Sequence, residues 1–179
     1  MQDDDSAVTG MELPSHLGCE HDVAAWLTRP GQPGPRADSC DIIEVNSNCF
    51  VCGRYNPCGL QLTFKQGSRG VEALWVPSNA TESFPGTVHG GIITSVLDEA
   101  MSKAIMVRGW QAFTVCVNVR FHGRTSPGEC LRVHGWVIER RKRRILTEAN
   151  LMAHGAVERA HAWATFLIPG NSRLREPHA

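Results

Sequence analysis

The sequence lacks an excess of charge of either sign, because 18 Lys and Arg residues balance 18 Asp and Glu residues. A net charge of zero argues against a protein that binds nucleic acid or an anionic membrane through its overall field. No run of about 18 apolar residues occurs, so no membrane-spanning helix is predicted. The start, Met1 to Asp5, lacks the positive charge and apolar stretch of a secretory signal, so we expect a cytoplasmic protein.

Cysteine is present, but not in the pattern of a disulfide framework. There are seven cysteines, an odd number, and no secretory signal accompanies them. Cys49 and Cys52 have the two-residue spacing of a zinc-binding pair, with Cys40 and Cys58 nearby. A closed structural zinc site usually contains a second tight pair, which is missing, and no thioredoxin-like βαβ pattern surrounds the cysteines. We therefore predict neither a metal nor a redox site, with zinc as the alternative.

Residues 1–40 differ in composition from the rest of the chain. From Pro30 to Pro35, three prolines and two glycines occur within six residues, which excludes a helix interior or a central strand. We predict an arm and linker here. One domain is expected over residues 41–170, followed by a short tail over residues 171–179.

Hydrophobic periodicity predicts two strands, one long helix and then four long strands. The helix is expected to run from Gly91 to about Val107. The predicted strands cover Leu60–Phe64, Val71–Val76, Val115–Phe121, Leu131–Glu139, Ile145–Ala153 and Val157–Ile168, with a loop over Asn79–Thr87. This order predicts an α+β domain in which an antiparallel sheet wraps one helix. Such a sheet leaves an open edge, which favours a homodimer.

The start of this helix contains the candidate chemistry. A helix N-terminus presents unpaired backbone N–H groups and the positive end of the helix dipole, and Gly90 and Gly91 let a substrate carbonyl come close. Such donors stabilise the oxyanion of a tetrahedral intermediate. Asp98, two turns further along, is placed to activate water or to attack directly. Thioester hydrolysis needs these groups, although a glycine pair before a helix is also a common loop device and a lone helical Asp is usually exposed.

Several segments of the sequence resemble one known family. His89 to Ala100 is similar to the H-G-G-x(6)-D-x-A signature of hotdog-fold thioesterases, and PaaI-like and THEM4-like acyl-CoA thioesterases are the most similar subgroup. Cys49 to Leu60 resembles the C-x-x-C-G-x-x-N-P-x-G-L opening of that subgroup. Phe84–Val88 resembles the loop before the helix, and Thr114–Phe121 resembles the strand after it. Together these segments span about residues 48–169.

The resemblance implies a hotdog fold, an acyl-CoA or acyl-carrier substrate, and no cofactor besides the coenzyme A of the substrate. It assigns the catalytic carboxylate to Asp98 and the backbone oxyanion hole to Gly90 and Gly91. His89 matches a histidine that helps to position the loop and the thioester. Thr114 matches a threonine that helps to hold the attacking water. Because the family's site lies between subunits, a homodimer or homotetramer is implied, and Thr114 would act on Asp98 of the partner subunit.

Alternatives to this assignment stay open. Some family members use Glu instead of Asp, but Glu99 should point about 100° away from Asp98 around the helix, so Asp98 is favoured. Fold alone does not decide function. The alternatives to hydrolysis are a dehydratase or cyclase acting on a carrier-bound acyl chain, and a non-catalytic protein that binds an acyl ligand.

Five consecutive basic residues, Arg140 to Arg144, fall where the pattern predicts a hairpin tip. Arg141 and Arg143 are candidates for binding the phosphates of coenzyme A or an acidic carrier. A solvated turn is the simpler interpretation. No aromatic residues interleave with the run, so nucleic acid is not expected as a partner.

Overall fold

The computed structural model describes residues 47–170, so the predicted arm over residues 1–40 and tail over residues 171–179 lie outside the described residues. The strands are β1 (Lys65–Gln66), β2 (Val71–Trp75), β3 (Glu82–Phe84), β4 (Thr87–Val88), β5 (Phe113–Phe121), β6 (Leu131–Arg141), β7 (Arg144–Ala153) and β8 (Val157–Leu167). The long helix α1 is Gly90–Met106, and short 3-10 helices cover Asn79–Thr81 and His154–Ala156. Within this part of the chain, no helix has the length and apolar character needed to cross a membrane.

Six strands form one antiparallel sheet in the order β1-β2-β6-β7-β8-β5, and β3 pairs with β4 in a separate hairpin. Helix α1 packs against one face of this sheet, mainly on β6, β7 and β8. This confirms the predicted α+β architecture, an antiparallel sheet wrapped on one long helix. The bounds of α1, β2 and the four strands after the helix agree with the sequence-based prediction to within two residues.

The packing of α1 on the sheet depends on an apolar face and on one glycine. Ile93, Val96, Leu97 and Ala100 are almost completely buried on this face, as the helical spacing predicts. Gly135 of β6 lies directly beneath, where an added Cβ would overlap the Ala100 carbonyl. A larger residue at this position would displace the helix, so Gly135 sets the depth at which α1 packs.

The predicted strand over Leu60–Phe64 is wrong. This segment pairs instead with the preceding loop, where the Leu62 N–H donates to the Val51 carbonyl at 2.8 Å. Gln61 has a φ of 54°, in the left-handed region, and this interrupts the extended backbone that alternation requires. The first strand of the sheet is the two-residue β1, which begins one residue later.

The segment predicted as a loop before the helix is more ordered than expected, because it contains a 3-10 helix and the β3–β4 hairpin. Two backbone hydrogen bonds hold its end in place. The Val88 N–H donates to the Thr125 carbonyl at 2.9 Å, and the His89 N–H donates to the Thr81 carbonyl at 2.8 Å. The residue before α1 is therefore fixed from two sides.

Strand β5 is an edge of the six-stranded sheet, with β8 as its only neighbour among residues 47–170. Phe113 and Val115 on this strand are 69% and 59% exposed. A nine-residue edge strand with exposed apolar side chains is a surface suited to pairing with another chain.

Candidate active site

His89 caps the start of α1. Its backbone is extended, with φ −63° and ψ 127°, and its Nδ1 atom accepts a hydrogen bond from the Gly91 N–H at 2.9 Å. The imidazole thus satisfies one of the N–H groups that a helix start leaves without an intrahelical partner. His89 therefore orients the first turn of the helix.

The two glycines predicted to form the oxyanion hole differ in the structure. The Gly91 N–H donates to the His89 imidazole, so it is not free within the chain, and its role in the oxyanion hole stays a prediction. The Gly90 N–H has no acceptor among residues 47–170. The ring of Phe121 lies beside Gly90, since a Cβ there would come within 3.3 Å of the ring. Of the two expected donors, the Gly90 N–H is therefore the free one in this structure, and it lies next to an aromatic side chain.

Asp98 lies half-buried on α1 and is held by Thr114. The Thr114 hydroxyl donates to Asp98 Oδ1 at 2.9 Å, and Oδ2 has no partner in the described part of the chain. Burial raises the pKa of the Asp98 carboxyl above its ordinary value, the Thr114 hydrogen bond opposes this rise, and the charge of Glu99 adds to it. A carboxylate of raised basicity with one free oxygen is suited to accept a proton from water.

The contact between Thr114 and Asp98 forms within one chain. We expected Thr114 to act on Asp98 of the partner subunit, and this expectation is wrong. The connection between α1 and β5 spans only residues 107–112, so the chain returns at once to a strand beside its own helix.

A β-bulge aims Thr114 at the helix. Simple alternation with the apolar residues of β5 would place Thr114 on the opposite face of the sheet. The register between β5 and β8 shifts between Thr114 and Cys116, so Thr114 lies opposite Phe166, a buried core residue. The extra residue, Val115, turns Thr114 and Val117 to the same side. Bulges often redirect a side chain next to a functional site.

Glu99 lies on a different side of α1 from Asp98, as the step of about 100° per residue predicts. Its Oε1 atom accepts a hydrogen bond from Cys52 Sγ at 3.0 Å and lies 3.4 Å from Lys103 Nζ. The Lys103 side chain is only 2% exposed, so this ion pair is buried. Cys49, Cys52 and Glu99 form the one group of possible metal ligands found among residues 47–170.

Thr94 and Ser95 lie one turn before Asp98 on α1, and their hydroxyls donate to carbonyls of the helix itself. Thr94 Oγ1 donates to the Gly90 carbonyl at 2.9 Å, and Ser95 Oγ donates to the Gly91 carbonyl at 3.0 Å. These internal bonds occupy the hydroxyl protons. They leave Asp98 as the group among these three residues that can activate water.

The basic run forms the tip of the β6–β7 hairpin, as predicted. The turn residue Lys142 has a φ of 54°. Arg141 Nε donates to Glu139 Oε1 at 2.6 Å, and Arg143 Nε donates to the Ile168 carbonyl at 2.7 Å. Both candidate substrate-binding residues already contact acceptors of the protein, and binding of coenzyme A phosphates by them stays a prediction.

Comparison with known sequences points to one family. A family model described as the thioesterase superfamily matches residues 85–158, from the loop before α1 to the start of β8. Human acyl-coenzyme A thioesterase THEM5 is 33% identical over 58 residues, which cover 32% of this chain and 24% of that protein. The chain therefore matches about a quarter of the length of this curated relative.

Solved structures share the fold. The crystal structure of a thioesterase superfamily protein has a TM-score of 0.65 at 21% identity, covering 68% of this chain and 60% of that one. A Streptococcus mutans protein bound to acetyl-CoA has a TM-score of 0.57 at 17% identity, covering 61% of this chain and 89% of that one. The thioesterase superfamily model thus matches residues 85–158, and the described residues share the hotdog fold of these solved structures.

Proposed function

We propose that this protein hydrolyses acyl thioesters of coenzyme A or of an acyl carrier, with Asp98 activating the attacking water. The main support is the hydrogen bond from Thr114 to one oxygen of Asp98, which leaves the other oxygen for water. The superfamily match and the acyl-coenzyme A thioesterase among the relatives favour a thioester substrate. A thiolate is a good leaving group, so a carboxylate base and an oxyanion donor are sufficient for the reaction.

The oxyanion donor of the proposed site is the Gly90 N–H of a second copy of the chain. Within one chain, Gly90 and Asp98 are eight positions apart, which corresponds to about 12 Å along the helix. A bound carbonyl oxygen lies about 3 Å from its N–H donor, and the attacking water lies about 3 Å from both the carbonyl carbon and its base. These contacts converge on one carbon, whereas the N–H groups of the first turn point out of the end of the helix, away from Asp98.

The edge strand β5 offers the surface for this second copy. Antiparallel pairing of two β5 strands around a twofold axis would extend the sheet across both chains and cover Phe113 and Val115. It would also bring two copies of α1 to the same side of the joined sheet, where Asp98 of one chain meets Gly90 of the partner subunit. The assembly is therefore a homodimer with two shared sites, and a homotetramer would be a pair of such dimers.

Mixing two inactive variants tests this arrangement. Gly90→Pro removes the N–H at the first helical position, where proline is tolerated, and the extended backbone of His89 is compatible with a following proline. Asp98→Ala removes the base. If Gly90 and Asp98 act across the interface, co-refolding equal amounts of the two variants should restore about one quarter of the wild-type rate of thiol release, because half the dimers are mixed and each has one intact site.

Gly90→Ala is the matched control, because it adds a Cβ beside Phe121 but keeps the N–H. It should retain far more activity than Gly90→Pro, which should lose about 10²- to 10³-fold in kcat. A mixture of Gly90→Pro and Asp98→Ala that stays inactive, although mixed dimers form, would contradict the shared site.

Product analysis with a panel of short, long and aromatic acyl-CoA substrates tests the reaction itself. Release of one free thiol for each free acid is the expected result. An enoyl or cyclised product would indicate the dehydratase or cyclase alternative. Saturable acyl-CoA binding without thiol release would indicate a non-catalytic binding protein.

A further inference from the structure

We propose that Cys49, Cys52 and Glu99 bind a zinc ion that joins the N-terminal loop of the domain to helix α1. The two cysteines belong to the loop before β1, and Glu99 belongs to the helix. One ligand atom from each residue lies within 4.8 Å of the other two. This inference is independent of the proposed hydrolysis and reverses the sequence-based expectation of no metal, because the third ligand is 47 residues from Cys52 in the chain.

The loop is shaped to direct both sulfur atoms to one side. The Gly53 N–H donates to the Cys49 carbonyl at 2.9 Å, closing a tight turn in which any Cβ at position 53 would overlap the Cys49 backbone. The Val51 N–H donates to Cys49 Sγ at 3.4 Å. This contact fixes the direction of the Cys49 sulfur relative to the loop backbone. The turn therefore fixes the position of the Cys49 sulfur before any metal binds.

The charges of the cluster balance when zinc is added. Two thiolates and the Glu99 carboxylate have three negative charges, and Zn²⁺ with the Lys103 ammonium has three positive charges. Lys103 is almost completely buried 3.4 Å from Glu99, where an unbalanced group of charges would be costly. A neutral arrangement of five groups is therefore compatible with this depth in the protein.

Without metal, a hydrogen bond connects the Cys52 thiol to the Glu99 carboxylate. Cys52 donates its thiol hydrogen to Glu99 Oε1 at 3.0 Å. Burial raises the pKa of the Cys52 thiol, and the hydrogen bond to Glu99 raises it further, so the thiol stays protonated at neutral pH. A metal ion would displace this proton and take both the sulfur and the carboxylate oxygen as ligands.

The ligand set selects the metal. Two thiolates and one carboxylate suit tetrahedral Zn²⁺ and are poor ligands for Mg²⁺ or Ca²⁺, which prefer oxygen. Water would occupy the fourth position, since Cys49 and Cys52 are only partly buried. The Leu60 and Leu62 N–H groups donate to Phe50 and Val51 carbonyls, so a fixed loop would also fix the segment after it. The expected role of the ion is to fix the loop against α1, next to Asp98.

Cobalt titration of the full-length, reduced, metal-stripped protein tests the proposal. We expect one Co²⁺ per chain, with the thiolate-to-cobalt charge-transfer band and the ligand-field bands of a tetrahedral site, and displacement by Zn²⁺. Each of the single variants Cys49→Ser and Cys52→Ser should weaken the charge-transfer band, and the Cys49→Ser/Cys52→Ser variant should lose it. Glu99→Gln should keep the band but bind at least about 10-fold more weakly. The matched control is Cys58→Ser, which changes an exposed cysteine of the same loop and should behave as wild type.

Several results would overturn the proposal. Absence of the charge-transfer band in folded wild-type protein at excess Co²⁺ would do so, as would a band that survives in the Cys49→Ser/Cys52→Ser variant. Formation of a Cys49–Cys52 disulfide on mild oxidation, in protein whose reduced form binds no metal, would show a redox pair instead.

X-ray absorption of the zinc-loaded wild-type protein keeps the test decisive if a serine variant does not fold. Two sulfur atoms at about 2.3 Å and two lighter ligands at about 2.0–2.2 Å are expected. A shell of four sulfur atoms, or of none, would contradict the ligand set. Zinc should also raise the Tm of the wild-type chain where Mg²⁺ does not, and equal effects of the two ions would contradict a thiolate site.

Discussion

Two adjacent carboxylates of α1, Asp98 and Glu99, differ in nearly every contact. Asp98 accepts a hydrogen bond from a neutral hydroxyl of the edge strand β5, while Glu99 accepts one from a thiol and pairs with the buried ammonium of Lys103. A neutral partner leaves the charge of a half-buried carboxylate uncompensated, whereas a cation compensates it. A helix can therefore keep one carboxylate basic and use its neighbour for structure, by turning each toward a different environment.

Exchanging each carboxylate for its amide gives the largest expected difference. Asp98→Asn should lower kcat for thiol release by about 10²- to 10⁴-fold, because the amide cannot accept a proton from water. Glu99→Gln should keep most of the wild-type kcat in the fraction that is folded. Steady-state assays with one acyl-CoA substrate check both, with circular dichroism as the control for folding. Comparable losses in the two variants would place both carboxylates in the reaction.

Removing the cation should affect stability rather than chemistry. Lys103→Met keeps the length and apolar stem of the side chain but leaves Glu99 without its positive partner, which should reduce the free energy of unfolding by about 2–4 kcal/mol. Urea unfolding of the metal-free protein measures this change. The Glu99→Gln/Lys103→Met double variant should recover much of the loss, since neither charge remains. No recovery would mean that Lys103 stabilises the fold through packing alone.

The hydroxyl beside Asp98 is expected to adjust its basicity. Thr114→Val removes a hydrogen bond that lowers the pKa of the Asp98 carboxyl, so that pKa should rise further. Because the base must be ionised, the acid limb of kcat/KM should shift to higher pH, and kcat should fall by about 10-fold at neutral pH. Thr114→Ser should restore both. An unshifted acid limb in Thr114→Val would show that Thr114 does not act through Asp98.

Much of the fold could be predicted because its signals are local. Alternating apolar residues predict β6, β7 and β8. Apolar residues at helical spacing, preceded by two glycines, predict α1. The sequence pattern predicts the start of α1 one residue late, because His89 caps the helix through its side chain and Gly90 is already helical. The position of Asp98 on this helix is predictable for the same reason, since it depends only on helix geometry.

The rest depends on contacts between distant residues. The bulge at Val115 turns Thr114 toward α1, and strict alternation places it on the opposite face. The left-handed backbone conformation of Gln61 interrupts a segment whose apolar alternation predicts a strand. The contact of Cys52 with Glu99 joins residues far apart in the chain, and no spacing rule predicts it. These features arise from tertiary packing, which a local pattern does not contain.

The smallest expected effect is on thermal stability, and here the two carboxylates should respond in opposite directions. The folded-state pKa of Asp98 lies above its ordinary value, so ionised Asp98 is less favourable in the folded chain than in the unfolded chain. This destabilisation is present at neutral pH and disappears as the pH falls through the folded pKa toward the ordinary value of about 3.9.

Asp98→Asn should therefore raise the Tm at neutral pH by about 1–4 °C, with the gain shrinking in acid, because the amide oxygen still accepts the hydrogen bond from Thr114. Glu99→Gln should lower the Tm, since it removes the partner of a buried ammonium. Calorimetry of both variants at neutral and acidic pH measures the pair of shifts. If Asp98→Asn also lowered the Tm, Asp98 would stabilise the fold as Glu99 does. The difference between the environments of the two carboxylates would then not explain why Asp98 is the more reactive one.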